Sequence, residues 1–183
     1  MSTTLTRLKD DAFYMESDNL VDIDYFNIGS IPRKAKICIT GNYDTGKTAL
    51  AKYIVKKRNI RKWHTINNFD DNNFNLNLNV NDISCIVFDD MICTTGLTDD
   101  LLIKRREHSL DIIVIGNTMQ SKYTYDYIFL GRGSPINFSN QHYDFVVNLS
   151  RQLKKYQFLV YIVSEHRLGK TRESEVPIVL SKN

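Results

Sequence analysis

Apolar residues along this chain fall into short blocks separated by polar stretches, and the period changes from one block to the next. Ile37, Cys38 and Ile39 form a brief apolar run ending at Thr40, which predicts a short core strand. From Lys47 the spacing turns helical. Leu50, Ala51, Tyr53, Ile54 and Val55 predict a stripe facing a sheet, and Lys56, Lys57 and Arg58 complement the helix C-terminus. "KWHTIN" (62–67) reads as a second short strand. The low-complexity "NNFDDNNFNLNLNVND" after it reads as a surface connection of poor helix propensity. "ISCIVFDD" (83–90) and "LDIIVIGNT" (110–118) are the mostly apolar runs that parallel strands buried on both faces require. Between them, Thr98-Asp99-Asp100 predicts a capped helix start with acids in the first turn, the helix running through "LLIKRREH". Further on, "DFVVNL" (144–149), "QFLVYIV" (157–163) and "VPIVLS" (176–181) read as three closely spaced strands, antiparallel at one sheet edge.

Alternation of strands and helices predicts an α/β fold with a mainly parallel sheet flanked by helices. With 183 residues, 42% apolar and 25% charged, the chain suits one compact core. Residues 33–183 are expected to form that core, with 1–32 as an N-terminal extension packing on it. Pro32 and the basic cluster behind it lead into the first strand, and no internal repeat or linker divides the chain. A net charge of +3 does not demand a nucleic-acid partner, but permits one if basic residues gather on one face. The odd cysteine count, with Cys38 and Cys85 inside apolar runs, points to reduced, buried thiols, while Cys93 lies outside such a run. The opening nineteen residues have no apolar signal core, and no run approaches the roughly 18 apolar residues of a membrane span. The expectation is a soluble intracellular protein with no membrane partner.

One stretch carries chemistry on its face. "KICITGNYDTGKTALAKYIV" (36–55) holds Gly41-Asn42-Tyr43-Asp44-Thr45-Gly46-Lys47-Thr48, a match to the phosphate-loop pattern G-x-x-x-x-G-K-[ST] placed between a predicted strand and a predicted helix. Gly41 and Gly46 let the backbone curl and aim N–H groups at phosphate oxygens, and the helix N-terminus adds partial positive charge. Lys47 is expected to reach the β- and γ-phosphates and Thr48 to ligate Mg²⁺. Asp44 is awkward beside phosphate, unless its side chain turns to solvent and only its backbone takes part. Asp89, at the end of "CIVFDD", suits the Mg²⁺ through water, and Asp90 could orient or deprotonate an attacking water. The plain alternative for Asp90 is a carboxylate capping a turn. Asn117, Thr118 and Gln120, after the next strand, could sense a γ-phosphate or simply make the turn. His108 reads as a solvated helix-end histidine.

This order of features resembles the P-loop ATPases of the additional-strand type, the RecA/DnaB-like and FtsK/HerA-like motors. "VFDDM" followed by "RREHSLDIIVIGNTMQ" is similar to the viral genome-packaging ATPases of the poxvirus and giant-virus kind. The resemblance implies a RecA-like P-loop fold and an enzyme hydrolysing ATP with Mg²⁺. Lys47, Asp90 and Gln120 would take catalytic roles, Gly41 through Thr48 the nucleotide, and Thr48 and Asp89 the metal. It also implies DNA as substrate, a homo-oligomeric ring or filament, and, for a viral motor, a host cytoplasm or nucleus. The tail, "FLVYIVSEHRLGKTRESEVPIVL", is similar to the closing strands of DnaB-type helicases and recombinases, where a basic hairpin reaches a neighbour's nucleotide. Arg167, Lys170 and Arg172 match those positions, or form a solvated basic turn; Arg105, Arg106, Arg132 and Arg151 are further candidates. Two departures stand out. Asp90 replaces the Glu of many relatives, and Lys47 and Asp89 are only 42 positions apart. The leading expectation is a DNA-packaging motor. The alternatives are a RecA/DnaB-like DNA-dependent ATPase in recombination or replication, a helicase-loader-like ATPase, a nucleotide kinase, or a nucleotide-binding scaffold without turnover.

Overall fold

A computed structural model describes residues 19–67, 83–89, 110–116, 125–133, 144–165 and 167–172. Seven strands form one mixed sheet: β1 (Lys36–Thr40), β2 (Trp63–Asn67), β3 (Cys85–Asp89), β4 (Asp111–Gly116), β5 (Tyr127–Leu130), β6 (Leu159–Ile162) and β7 (Arg167–Lys170). Two helices, α1 (Lys47–Lys57) and α2 (Asp144–Gln152), complete the described regular structure beside single 3₁₀ turns. The spatial order is β2-β3-β4-β1-β5-β6-β7. The first five are parallel, and β6 and β7 add antiparallel to β5 and to each other. The protein is therefore α/β, with two antiparallel strands at one edge; β6 falls in a run expected there, whereas β7 occupies "RLGK", which the sequence reads as part of a basic turn.

The pleat explains the two-sided core. On β1, Ile37 and Ile39 point to the layer containing α1, while Cys38 between them points to the layer containing Val146, Leu149 and Leu153. Phe129 and Val160 join the first layer; Ile128, Leu130 and Leu159 join the second. From α1 the buried residues are Leu50, Ala51, Tyr53, Ile54 and Val55, the stripe predicted from spacing. Leu50 and Ile54 are wholly buried, each contributing about 1.5–3 kcal/mol of apolar transfer.

Two expectations need correction or supplement. "DFVVNL" is not a strand but the first part of α2. Val146, Leu149, Ser150 and Leu153 are the buried positions, an i, i+3, i+4, i+7 set, so the packing of one apolar face overrides the β-branched pair. β5 was not anticipated: "YIFL" is four residues long and lies deep in the sheet between β1 and β6. "VPIVLS" and the helix expected from Thr98 lie outside the described residues. Before β1, Leu20, Ile23, Ile28 and Ile31 are buried against the core, and Tyr25 bridges to Lys170 of β7.

Candidate nucleotide site

The loop between β1 and α1 closes at the C-terminal ends of the parallel strands, where an open α/β sheet characteristically presents its ligand crevice. Gly46 is the residue before α1 and sits at φ 92°, a conformation that side chains resist. The Tyr156 ring occupies the space a Cβ there would need. Asp44 is also left-handed, at φ 60°, which a short polar side chain tolerates. Its carboxylate is largely exposed and takes the Lys155 ammonium at 2.8 Å, so the charge faces outward. That bond raises the Lys155 pKa.

Internal bonds hold the loop open. Thr45 Oγ1 donates to the Asn42 carbonyl at 2.9 Å, and Tyr156 N–H donates to the Thr45 carbonyl at 3.2 Å. Lys47 Nζ donates to the carbonyls of Gly41 at 2.9 Å and Asn42 at 2.8 Å and lies 5.7 Å from the Tyr43 ring centroid. The ammonium thus lies folded across the loop it would share with phosphate oxygens. One side of the loop faces a cavity of about 400 Å³ lined by Asn42, Thr45, Arg132, Arg151 and Lys155 among others. Arg132 and Arg151 therefore face the loop of their own chain.

Thr48 Oγ1, on the first turn of α1, donates to Asp89 Oδ2 at 2.8 Å. β4 lies between β1 and β3 in the sheet, so this bond reaches across one strand. A hydroxyl and a carboxylate so placed are hard oxygen donors of the type Mg²⁺ prefers. Among the described residues no cluster of three His, Cys or acidic side chains gathers. An ion here would take its remaining ligands from phosphate and water, the usual state of protein-bound Mg²⁺. Asp90, Gln120, Asn117, Thr118, Arg105, Arg106 and His108 lie outside the described residues.

The basic positions of the tail separate. Lys170 is buried, and its ammonium donates to the Leu20 carbonyl at 2.7 Å and the Val21 carbonyl at 3.2 Å, so it braces its own chain. Arg167 is half-exposed near Asp24 and Glu165, and Arg172 lies 5.1 Å from the Tyr25 ring centroid. Sequence reasoning missed the α2–β6 turn, whose Lys155 and Tyr156 brace the loop from more than a hundred positions away; no local pattern marks that approach. Gly131 is the other omission. It packs against Thr45 and donates its N–H to the Thr40 carbonyl at 2.7 Å, and the Gly-Arg-Gly turn was its available signal. Described helices include none long and apolar enough to cross a membrane. No protein-family profile and no curated protein matches this chain at a significant level.

Proposed function

We propose that the chain is a RecA-like P-loop ATPase that converts ATP hydrolysis into movement or remodelling of DNA, with viral genome packaging as its setting. The observation that carries the reading is the 2.8 Å bond from Thr48 to Asp89, made beneath a Gly-x-x-x-x-Gly-Lys-Thr loop and across an inserted strand. Strand order and motif support the same assignment independently, since the loop follows β1, the carboxylate ends β3, and β4 separates them. Loop N–H groups and Lys47 would bind and polarise the triphosphate, while Thr48 and Asp89 would hold Mg²⁺, which neutralises phosphate charge when bound. Asp90 would orient water and Gln120 sense the γ-phosphate. Since Lys170 is committed within its own chain, Arg167 and Arg172 are the better tail candidates for a contact across a subunit boundary.

The test is steady-state ATP hydrolysis with and without single- and double-stranded DNA, beside Lys47→Ala. Hydrolysis stimulated by DNA and reduced about 100-fold in the variant is expected. Turnover that depends instead on a nucleotide acceptor would make the protein a kinase. Nucleotide binding with no turnover under any condition would leave it a scaffold.

A further inference from the structure

Asp44 is the one residue between Gly41 and Thr48 whose charge opposes a phosphate ligand. Its backbone does not call for a carboxylate. At φ 60° a glycine or an asparagine would serve as well, since both enter the left-handed region readily. The side chain therefore adds a negative charge to a loop read here as a cradle for anions. A specific cation answers it. Lys155, 111 positions further on, places its ammonium 2.8 Å from Asp44 Oδ2.

That ion pair is not what joins the two segments. The turn after α2 reaches the loop by main chain and by packing: Tyr156 N–H donates to the Thr45 carbonyl at 3.2 Å, and the Tyr156 ring fills the space where a Cβ at Gly46 would stand. The turn is also fixed on its own side. Gln157 N–H donates to the Lys154 carbonyl at 3.1 Å, Gln157 Oε1 accepts the Lys154 N–H at 3.2 Å, and Phe158 N–H donates to Thr171 Oγ1 at 2.9 Å. Lys155 thus projects from a turn that is anchored without it. The Asp44 side chain is 84% exposed and that of Lys155 50%, and ion pairs so open to water contribute little to folding. The effect of the pair lies in local charge.

Its surroundings give that charge a consequence. The cavity of about 400 Å³ beside the loop is lined by Arg132, Arg151 and Lys155, with Asp44 the single acid among its described lining residues. Arg132 stands in the turn that ends β5, where its carbonyl accepts the Asn42 N–H at 3.3 Å, and Arg151 stands in the last turn of α2. Among the described residues, no ion pair or hydrogen bond engages either guanidinium. Stripped of Lys155, Asp44 would have two courses. It would face incoming phosphates as a bare carboxylate, or it would pair with one of these arginines and withdraw it from the cavity. Either course lowers affinity for an anion, and Lys155 forecloses both.

We propose that Lys155 is a positioning residue for the nucleotide: it keeps the loop's own carboxylate neutralised and turned outward, so that the loop amides, Arg132 and Arg151 meet phosphate without a competing anion. The inference rests on the nucleotide reading of the loop and adds to it a residue from outside the motif.

The experiment is a double-mutant cycle, read by titrating a fluorescent N-methylanthraniloyl ATP with Mg²⁺ into the full chain. Lys155→Met keeps an unbranched stem and removes the charge. It should weaken binding about tenfold, the order expected of a unit charge acting on a multiply charged ligand across a partly screened site. Asp44→Asn should tighten binding about two- to threefold. In the Asp44→Asn background, Lys155→Met should change affinity by less than about twofold. Lys155→Arg keeps the charge and should bind within about threefold of the unaltered chain. At about 0.5 M salt the penalty of Lys155→Met should shrink below about threefold, because screening acts on charge and not on packing. Melting curves of all variants should nearly coincide, since both side chains are open to solvent. Unchanged affinity in Lys155→Met, or the same loss from it with and without Asp44→Asn, overturns the proposal. Coupled binding without hydrolysis would sink the motor reading alone. An unaltered chain that binds no ATP would sink the nucleotide reading, and this inference with it.

Discussion

Asp111→Asn isolates a charge at the junction of three elements. Wild-type Asp111 accepts the Ala35 N–H at 2.9 Å and an Arg58 Nη2–H at 3.1 Å, and Arg58 also donates to the Pro32 carbonyl. Both side chains are almost wholly buried, at 2% and 1% exposure. The asparagine retains an acceptor for Ala35, so what disappears is the countercharge. A guanidinium left uncompensated inside a protein costs about 3–5 kcal/mol, and the retained acceptor argues for about 3. In urea, with a slope of about 2 kcal/mol/M, the midpoint should fall by about 1.5 M. Arg58 Nε and Nη1 have no hydrogen-bond partner among the described residues even in the intact pair, so the guanidinium has little local polarity there to fall back on. Arg58→Met in the Asp111→Asn background should recover at least about 1 kcal/mol, because it removes the stranded charge. Circular dichroism unfolding curves of the four proteins complete the cycle. A midpoint shift below about 0.3 M in the single variant, or a double variant destabilised by the full sum of the singles, would refute the reasoning.

Two further outcomes follow from local geometry. Gly46→Ala places a methyl against the Tyr156 ring at a left-handed φ of 92°, so nucleotide binding should fall at least about tenfold while the melting temperature also drops. Equal binding by isothermal titration would show that the loop relaxes freely. Burial pushes the Cys38 and Cys85 thiols up from 9.0 to about 12. Their contribution to stability is intact below pH 9.0, where the unfolded thiols begin to ionise, and is lost as pH rises toward about 12. Each should cost about 1.4 kcal/mol per pH unit within that window, and Cys38→Ala should flatten the slope measured by urea unfolding across it.

The sequence was most legible where function and structure are both local. Strand, loop and helix from Lys36 to Lys57 could be read directly, because each residue's role depends on neighbours a few positions away. β3, β4 and β6 were visible as apolar runs and β2 as a short strand-like stretch, while the polar "RLGK" of β7 carried no strand signal. "DFVVNL" misled because adjacent valines favour a strand, whereas the decisive spacing extends past the run to Leu153. "YIFL" was too short to distinguish from a loop, its identity resting on partners ninety positions before and about thirty after it. At the site, the pattern gave Lys47, Thr48 and Asp89, but Tyr156 against Gly46 is a tertiary approach with no local trace. Lys170 shows the reverse failure. A basic residue in a basic stretch looks solvated until the fold supplies two carbonyls beneath it.

The contact of the early segment with β7 bears on how copies of this chain can associate. Phe26 N–H donates to the Lys170 carbonyl and Lys170 N–H to the Asp24 carbonyl, both at 2.9 Å. Both main-chain groups of Lys170 that face away from β6 are thereby used within the molecule. Phe26 also crowds Gly169, its Cβ lying 3.0 Å from where a side chain there would begin. A neighbouring strand approaching this margin would meet a stopper made of the chain's own residues, one of the ways proteins avoid edge-to-edge aggregation. Among the described residues, a strand adding beyond β7 at Lys170 would find both of these main-chain groups already taken. Loosening residues 24–26 would then unmask a sticky margin and convert an orderly subunit into one prone to uncontrolled stacking.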